Sequence, residues 1–247
     1  MNYLILGASS GLGKDLAYVF AKNFHNLILI SRDDRDLAPI KSDLENKFSI
    51  KVTIYKIDAS SKEEVTEFLN NKEILFDDLD GVLFPIGMMS NNDNIKENDK
   101  NADAINNANY LSIVRFIEKM SPIFEKKNKG SIVGFGSVAS SLGRKENVLY
   151  SASKRALNSY FESLSATYSE KKITTQFYIL GYLDTNLSFD KNLILPKAST
   201  KKLALKVYAN INKDNILKYY PKWWGIICYI ISIIPFYIIK KTIKFIK

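Results

Sequence analysis

Cysteine and histidine are nearly missing from this chain of 247 residues: Cys228 and His25 are the only ones. A single cysteine forms no internal disulfide, and one Cys with one His cannot assemble a Cys/His zinc site, so no metal is expected. A His-dependent nucleophilic triad would have to rest on His25 alone. The opening Met1 to Gly7 has no basic stretch leading into a long apolar run and a small-residue cleavage site, so no secretory signal is expected and the cytoplasm is the default compartment. Acids are scarce toward the carboxyl end. Residues 191 to 247 hold twelve Lys against one acid, Asp214, a local charge of +11 that leaves the first 190 residues at −2. A basic end on a nearly neutral body points to an anionic surface met by that end, and not to a nucleic-acid groove, for which no base-reading motif is evident.

What is present is a globular balance, 46% apolar and 25% charged, over a length sufficient for one sizeable core. Short apolar runs alternate with segments of helical spacing. Tyr3 to Leu6, Leu27 to Ile30, Lys51 to Ile57, Gly81 to Phe84, Gly130 to Gly136 and Thr174 to Ile179 read as strands. Between them, Leu12 to Phe20, Leu37 to Phe48, Lys62 to Asn70, Asn101 to Glu125 and Tyr150 to Tyr168 read as helices. Strands and helices taking turns, with near-continuous apolar strands, predict an α/β fold: one doubly wound parallel sheet of Rossmann type with helices on both faces. No boundary rich in Pro, Gly or Ser divides residues 1 to 222, and no repeat recurs at a fixed period. The polar stretch Ser90 to Asp103 reads as a surface loop with a helical start.

The cluster Gly7-Ala8-Ser9-Ser10-Gly11-Leu12-Gly13 falls between the first strand and the first helix, where a glycine-rich turn can cradle a dinucleotide. Glycines allow a tight turn and close backbone approach, and the helix N-terminus turns N–H groups and positive dipole toward a pyrophosphate. The second strand closes on Ser31-Arg32, with no acid placed to accept a bond from a free 2′-hydroxyl of the adenosine ribose. Arg32 suits a 2′-phosphate instead, so NADPH is the expected cofactor, with Asp33 and Asp34 as the opposing charges.

Tyr150-Ser151-Ala152-Ser153-Lys154 opens a predicted helix and sets Tyr150 and Lys154 one turn apart on one face. An unperturbed Tyr, with a pKa of about 10, is a poor proton donor and acceptor at neutral pH, and a neighbouring ammonium would lower it into useful range. Ser137, just past the fifth strand, is placed to bond the substrate oxygen on which charge changes.

On these residues the chain resembles the short-chain dehydrogenase/reductases. The likeness covers roughly residues 2 to 190 through Gly7 to Gly13, Asp58, Asn109, Ser137, Tyr150 and Lys154, with the Asn–Ser and Ser–Tyr separations of the family's classical members. The resemblance implies hydride transfer between a nicotinamide and a carbonyl or alcohol, with Tyr150 as general acid/base. It also implies that Lys154 lowers the Tyr pKa and holds the nicotinamide ribose, Ser137 positions the substrate oxygen and Asn109 supports a water-linked proton relay. Asp58 with Ala59 would meet the adenine, and Gly181 and Thr185 match the family's segment beside the nicotinamide amide. Two departures stand out: the family's Asn-Asn-Ala-Gly is here Phe84-Pro85-Ile86-Gly87, so only Gly87 carries over, and the Pro before Gly181 is Leu180.

Residues 223 to 247 form an apolar and basic segment. Trp223 to Ile239 is 17 residues without a formal charge, flanked by Lys222 and by Lys240, Lys241, Lys244 and Lys247. Wholly helical it would reach about 25 Å, short of a bilayer core, and Pro235 interrupts it. Paired Trp223-Trp224 at one end and lysines at the other predict peripheral attachment to the inner face of an anionic membrane. The competing reading is a homo-oligomer interface. Cys228 is read as a buried apolar residue, not as a palmitoylation site. The run from Tyr219 to Trp224, with its apolar sequel, resembles the ends of reductases acting on polyprenyl-phosphate keto-sugars. The expected activity is therefore NADPH-dependent reduction of a small-molecule or lipid-linked carbonyl, such as a keto-sugar. The alternatives are a soluble or fatty-acyl ketoreductase and a non-catalytic NADPH-binding scaffold.

Overall fold

The computed structural model describes residues 1–71, 76–90, 93–95, 101–143, 145–185 and 195–242. Seven strands build one sheet: β1 (Asn2–Leu6), β2 (Asn26–Ser31), β3 (Val52–Lys56), β4 (Leu79–Phe84), β5 (Gly130–Ser137), β6 (Ile173–Leu180) and β7 (Asn215–Tyr220). The helices are α1 (Gly11–Lys22), α2 (Asp34–Phe48), α3 (Lys62–Asn70), α4 (Ala102–Asn106), α5 (Ser112–Lys127), α6 (Val148–Thr167), α7 (Thr200–Ala209), α8 (Trp224–Ile233) and α9 (Phe236–Thr242). A π-helical turn, Asn107–Leu111, joins α4 to α5, so the predicted long helix is one path with a widened turn in it.

The strand order is β3-β2-β1-β4-β5-β6-β7, with every neighbour pair parallel. Leu4 pairs with Ile28 on one side and Val82 on the other. The chain reverses its winding between β1 and β4, and the crevice beyond the carboxyl ends of those strands is where open α/β sheets take ligands.

Alternation along each strand sends side chains to two separate cores. Leu4 and Leu6 join the layer containing Val65, Phe68, Phe116 and Leu157 of α3, α5 and α6. Tyr3 and Ile5 join the opposite layer with Leu16, Phe20, Leu37 and Leu203 of α1, α2 and α7. At about 1.5–3 kcal/mol for each fully buried aliphatic or aromatic side chain, these two layers carry most of the driving force that flattens the sheet between helices.

The six strands read from the sequence are present, and two elements escaped that reading. Helix α7 carries lysines on its outer side, and β7 is an edge strand whose apolar run is broken by Lys218. The segment read as a surface loop is also different at one position: Asp93 is buried, 2% exposed. Residues 91, 92 and 96–100 of that stretch lie outside the described residues.

Beyond β7, the apolar segment folds as α8 and α9, separated at Ile234 and Pro235. Trp224 and Cys228 on α8 are buried in the α3/α5/α6 layer, so the first turns of α8 belong to the core. Among the described residues no helix is long and apolar enough to cross a membrane.

Candidate active site

The glycine turn lies at the reversal of the sheet. Gly7 has φ +96 and Gly11 φ +51, values in which a β-carbon is strained, and a β-carbon on Gly13 would fall 1.9 Å from the Gly7 carbonyl oxygen. The turn folds back so tightly that the first turn of α1 packs on the end of β1. Ser10 is the N-cap of α1 and makes no side-chain cap bond, which leaves the first-turn N–H groups directed at the crevice. These features fit a dinucleotide pyrophosphate, with Gly7, Ser9, Ser10, Gly11, Leu12 and Gly13 as its cradle. Thr185 lies over the same turn: a β-carbon on Gly11 would come 3.1 Å from its Cγ2. The glycine turn and the Gly181–Thr185 segment, far apart in sequence, therefore face one another. Residues 186–194, which continue from Thr185, lie outside the described residues.

At the adenosine end, Arg32 is exposed, while Ser31 is buried and its hydroxyl donates to the Asp33 carbonyl at 2.7 Å. Asp33 caps α2 by accepting from Arg35 N at 2.9 Å and holds the Arg35 guanidinium in a two-pronged pair. Hydrogen bonds from Arg35 hold the Asp33 carboxyl down at about 2. Of the two acids that argued against a 2′-phosphate, Asp33 is thus matched by a second guanidinium. Arg35 was not among the sequence candidates, and its i, i+2 relation to Asp33 at the start of a helix was the available signal. Asp58 is half-buried and accepts from Ser60 N at 2.9 Å, a local turn after β3, with Ala59 buried beside it.

Ser137, Tyr150 and Lys154 come together at the carboxyl ends of β4 and β5. Ser137 closes β5, and Tyr150 sits in the first turn of α6 with the Ser137 hydroxyl near enough to act on its phenol. Lys154, one turn further on, is 2% exposed and donates from Nζ to the carbonyls of Ile86 and Phe135, both at 3.1 Å. Burial without a carboxylate partner pushes Lys154 down to about 7. Tyr150 is raised above its ordinary value: burial dominates, and the Ser137 hydrogen bond opposes it only in part. This corrects the expectation that Lys154 sets a lowered Tyr pKa. In the folded chain Lys154 is directed to two main-chain oxygens, and desolvation of the phenol outweighs the opposing effect.

Asn109 is fully buried within the π-helical turn. Its Oδ1 accepts from Met88 N at 2.9 Å, and its Nδ2 donates to Met88 O at 2.8 Å and Ile105 O at 3.0 Å. Its amide side chain therefore clamps the segment following Gly87, a positioning task distinct from the proton relay that the resemblance implied. The altered segment Phe84-Pro85-Ile86-Gly87 keeps the route past the glycine turn: Ile86 packs against Gly7, whose β-carbon would lie 3.0 Å from its Cα. The Ile86 carbonyl, moreover, is one of the two that hold Lys154. Among the described residues no cluster of His, Cys, Asp and Glu could hold a metal ion.

A reversed parallel sheet with a glycine cradle at its switch point and a Ser–Tyr–Lys set at its carboxyl edge defines a dinucleotide-binding oxidoreductase architecture. The chain belongs to the short chain dehydrogenase family, whose model matches residues 2–193, and this family binds nicotinamide cofactors. It is 30% identical over 190 residues to the NADP-dependent 3-hydroxy acid dehydrogenase of Schizosaccharomyces pombe, covering 75% of this chain and 72% of that one. It is 28% identical over 191 residues to a dehydrogenase/reductase SDR family protein 7-like of Drosophila melanogaster, covering 76% of this chain but only 58% of the relative. Among solved structures, a short-chain dehydrogenase from Sphingobium yanoikuyae in complex with NADPH superposes with a TM-score of 0.79 at 19% identity, covering 95% of this chain and 96% of that one. That last likeness speaks for the fold.

Proposed function

We propose that this protein is an NADPH-dependent carbonyl reductase in which Tyr150 protonates the substrate oxygen. The observation that carries this reading is the buried Lys154, held by the Ile86 and Phe135 carbonyls one helical turn from Tyr150, with Ser137 at the end of the neighbouring strand. A bound reduced nicotinamide supplies the hydride. Ser137 would hold the carbonyl oxygen in line with the Tyr150 hydroxyl, which gives up its proton as that oxygen gains negative charge. Lys154 and Thr185 would hold the nicotinamide half and Gly7 to Gly13 the pyrophosphate. Arg32, assisted by Arg35, would hold a 2′-phosphate, where charge-assisted bonds are strong. The 3-hydroxy acid relative uses NADP, which agrees with this assignment.

The proposed substrate is a keto-sugar or another carbonyl compound with an apolar or lipid-linked portion, met at the cytoplasmic face of an anionic membrane. Ile226, Tyr229, Phe236 and Tyr237 are each more than 60% exposed on α8 and α9, beside the exposed Lys222 and Lys240. Helices of ten and seven residues, broken at Pro235, are suited to lie in an interface with Tyr and Lys at headgroup level. A fatty-acyl ketoreductase uses the same machinery, and the likeness to very-long-chain 3-oxoacyl-CoA reductases of two yeasts, at 29% and 30% identity, favours it as the second reading.

NADPH oxidation by the detergent-held protein separates these readings. Turnover of organic-phase lipid-linked sugars supports the first and turnover of 3-oxoacyl thioesters the second; silence toward both leaves a cofactor-binding scaffold. Tyr150→Phe should abolish turnover and spare cofactor binding, and retained turnover would refute the role of Tyr150. Co-flotation with phosphatidylglycerol vesicles that weakens in high salt supports membrane contact. No flotation, combined with a dimer that dissociates when residues 223 to 247 are removed, assigns the exposed face to a second copy of the chain.

A further inference from the structure

We propose that Asp93 is a positioning residue for Tyr150, a buried carboxylate from the segment after β4 that caps the helix bearing the proton donor. The inference rests on the reading of Tyr150 as that donor. Helix α6 begins without a cap of its own: Asn147 stands at its N-cap in a left-handed conformation, φ 58 and ψ 40, and makes no side-chain cap bond. An uncapped N-terminus leaves N–H groups to be satisfied elsewhere. Asp93, 56 and 57 residues earlier in the chain, satisfies them. Its Oδ1 accepts from Leu149 N at 2.8 Å, its Oδ2 accepts from Tyr150 N at 2.9 Å, and its main-chain oxygen accepts from Val148 N at 3.4 Å. The carboxylate is 2% exposed and is in no ion pair among the described residues, so these N–H groups and the positive end of α6 are what compensate its charge.

Both ends of one short segment are thereby fixed around the site. Near Gly87, the Asn109 amide grips Met88 at both main-chain atoms. At the other end, Asp93 grips the backbone of Tyr150 itself. Asp93 thereby ties the first turn of α6, which carries Tyr150, to the segment that follows β4, the strand paired with β5, at whose end Ser137 stands. A local cap such as Ser199 on α7, which accepts from Lys202 N at 3.3 Å, stabilises its helix without tying it to another element in this way. Because a displacement of about 1 Å at a reacting group can cost on the order of 100-fold in rate, a cap anchored across the sheet edge has a kinetic consequence that a local one lacks.

The test compares Asp93→Ala, Asp93→Asn and Ser199→Ala in the full chain. Reduction of ethyl 3-oxobutanoate gives kcat, fluorescence titration gives the NADPH Kd, and crystal structures give the distance between the Ser137 and Tyr150 hydroxyls. Asp93→Ala should lower kcat by about 10- to 100-fold, leave the NADPH Kd within about twofold, and break the Ser137–Tyr150 contact. Asp93→Asn keeps one acceptor and the same shape, and should recover part of the lost kcat. Ser199→Ala should lower thermal stability and leave kcat and the hydroxyl contact as they are. An intact Ser137–Tyr150 contact in the Asp93 variants, or a Kd that worsens by the same factor as kcat, would overturn the proposal. Should Asp93→Ala fail to fold, Asp93→Asn decides: a lengthened hydroxyl contact supports the positioning role, and an unchanged contact and kcat refute it. A wild-type chain inactive on every carbonyl probe would sink the reductase reading alone, since the hydroxyl distance still decides the role of Asp93.

Discussion

Gly181 and Trp224 meet so closely that a β-carbon on the glycine would lie 1.8 Å from the indole Nε1. The glycine begins the segment facing the glycine turn, and the tryptophan opens the first apolar helix after the sheet. This contact makes the start of α8 a wedge under the segment that faces the glycine turn, reinforced by Tyr182 packed edge-on to the Trp224 ring at 5.5 Å. Gly181→Ala should push the indole out of place and cost about 1–3 kcal/mol, the usual range for overpacking. Urea midpoints check this. Combining Gly181→Ala with Trp224→Leu should return part of the loss, because the smaller side chain clears the space.

Replacing Arg32 by Ala should raise the NADPH Kd by roughly 10- to 100-fold, the equivalent of losing one or two charge-assisted bonds, while the NADH Kd stays nearly constant. Titration of both cofactors against wild type and variant measures the ratio. Arg35→Ala should act in the same direction and more strongly than a simple loss of contact, since it also frees the Asp33 carboxylate to repel the phosphate.

A half-buried Tyr150 held above its ordinary value by desolvation has opposite effects on the two directions of reaction. Carbonyl reduction needs the protonated phenol and should hold its kcat through neutral and mildly alkaline pH. Alcohol oxidation needs the proton acceptor and should rise steadily with pH over the same interval. Rate profiles in both directions on one enzyme preparation test the pair. A reduction rate that falls between pH 6 and 8 while oxidation stays flat would contradict the direction of the shift.

Lys154 gives a stability prediction whose sign follows from its lowered value of about 7 in the fold. The unfolded chain keeps this lysine protonated up to about pH 10.4, so between the two values the unfolded state binds more protons than the native state. The contribution of Lys154 to stability should therefore grow as pH rises from about 7 toward 10, and its burial cost should be greatest below pH 7. The difference in unfolding free energy between wild type and Lys154→Met, measured in urea at pH 6, 7.5 and 9, should shift in favour of wild type along that series. A difference independent of pH would show that Lys154 stays charged.

Strands such as Tyr3 to Leu6 were legible because a strand buried on both faces leaves an unbroken apolar run. The edge strand β7 was not, because its Lys218 is exposed and breaks the pattern. The pairing of Tyr150 with Lys154 was legible because one helical turn fixes it, and the glycine turn because close backbone contact restricts those positions to Gly. The direction of the Tyr150 shift was not legible, since it depends on how much protein surrounds the phenol. Asp93 lay in a polar stretch that reads as solvated, and its partners are more than fifty residues away.

By itself the sequence determined the periodicities, and with them the alternation of strands and helices, the place of the glycine turn and the spacing of Ser137, Tyr150 and Lys154. These follow from local geometry, which repeats every two or every 3.6 residues and is written along the chain. Only the tertiary structure decided which main-chain oxygens hold Lys154, that Arg35 neutralises Asp33, that Trp224 fills the space over Gly181 and that Asp93 caps α6. Each depends on burial or on a contact between distant segments, and both exist only once the two cores have closed on the sheet.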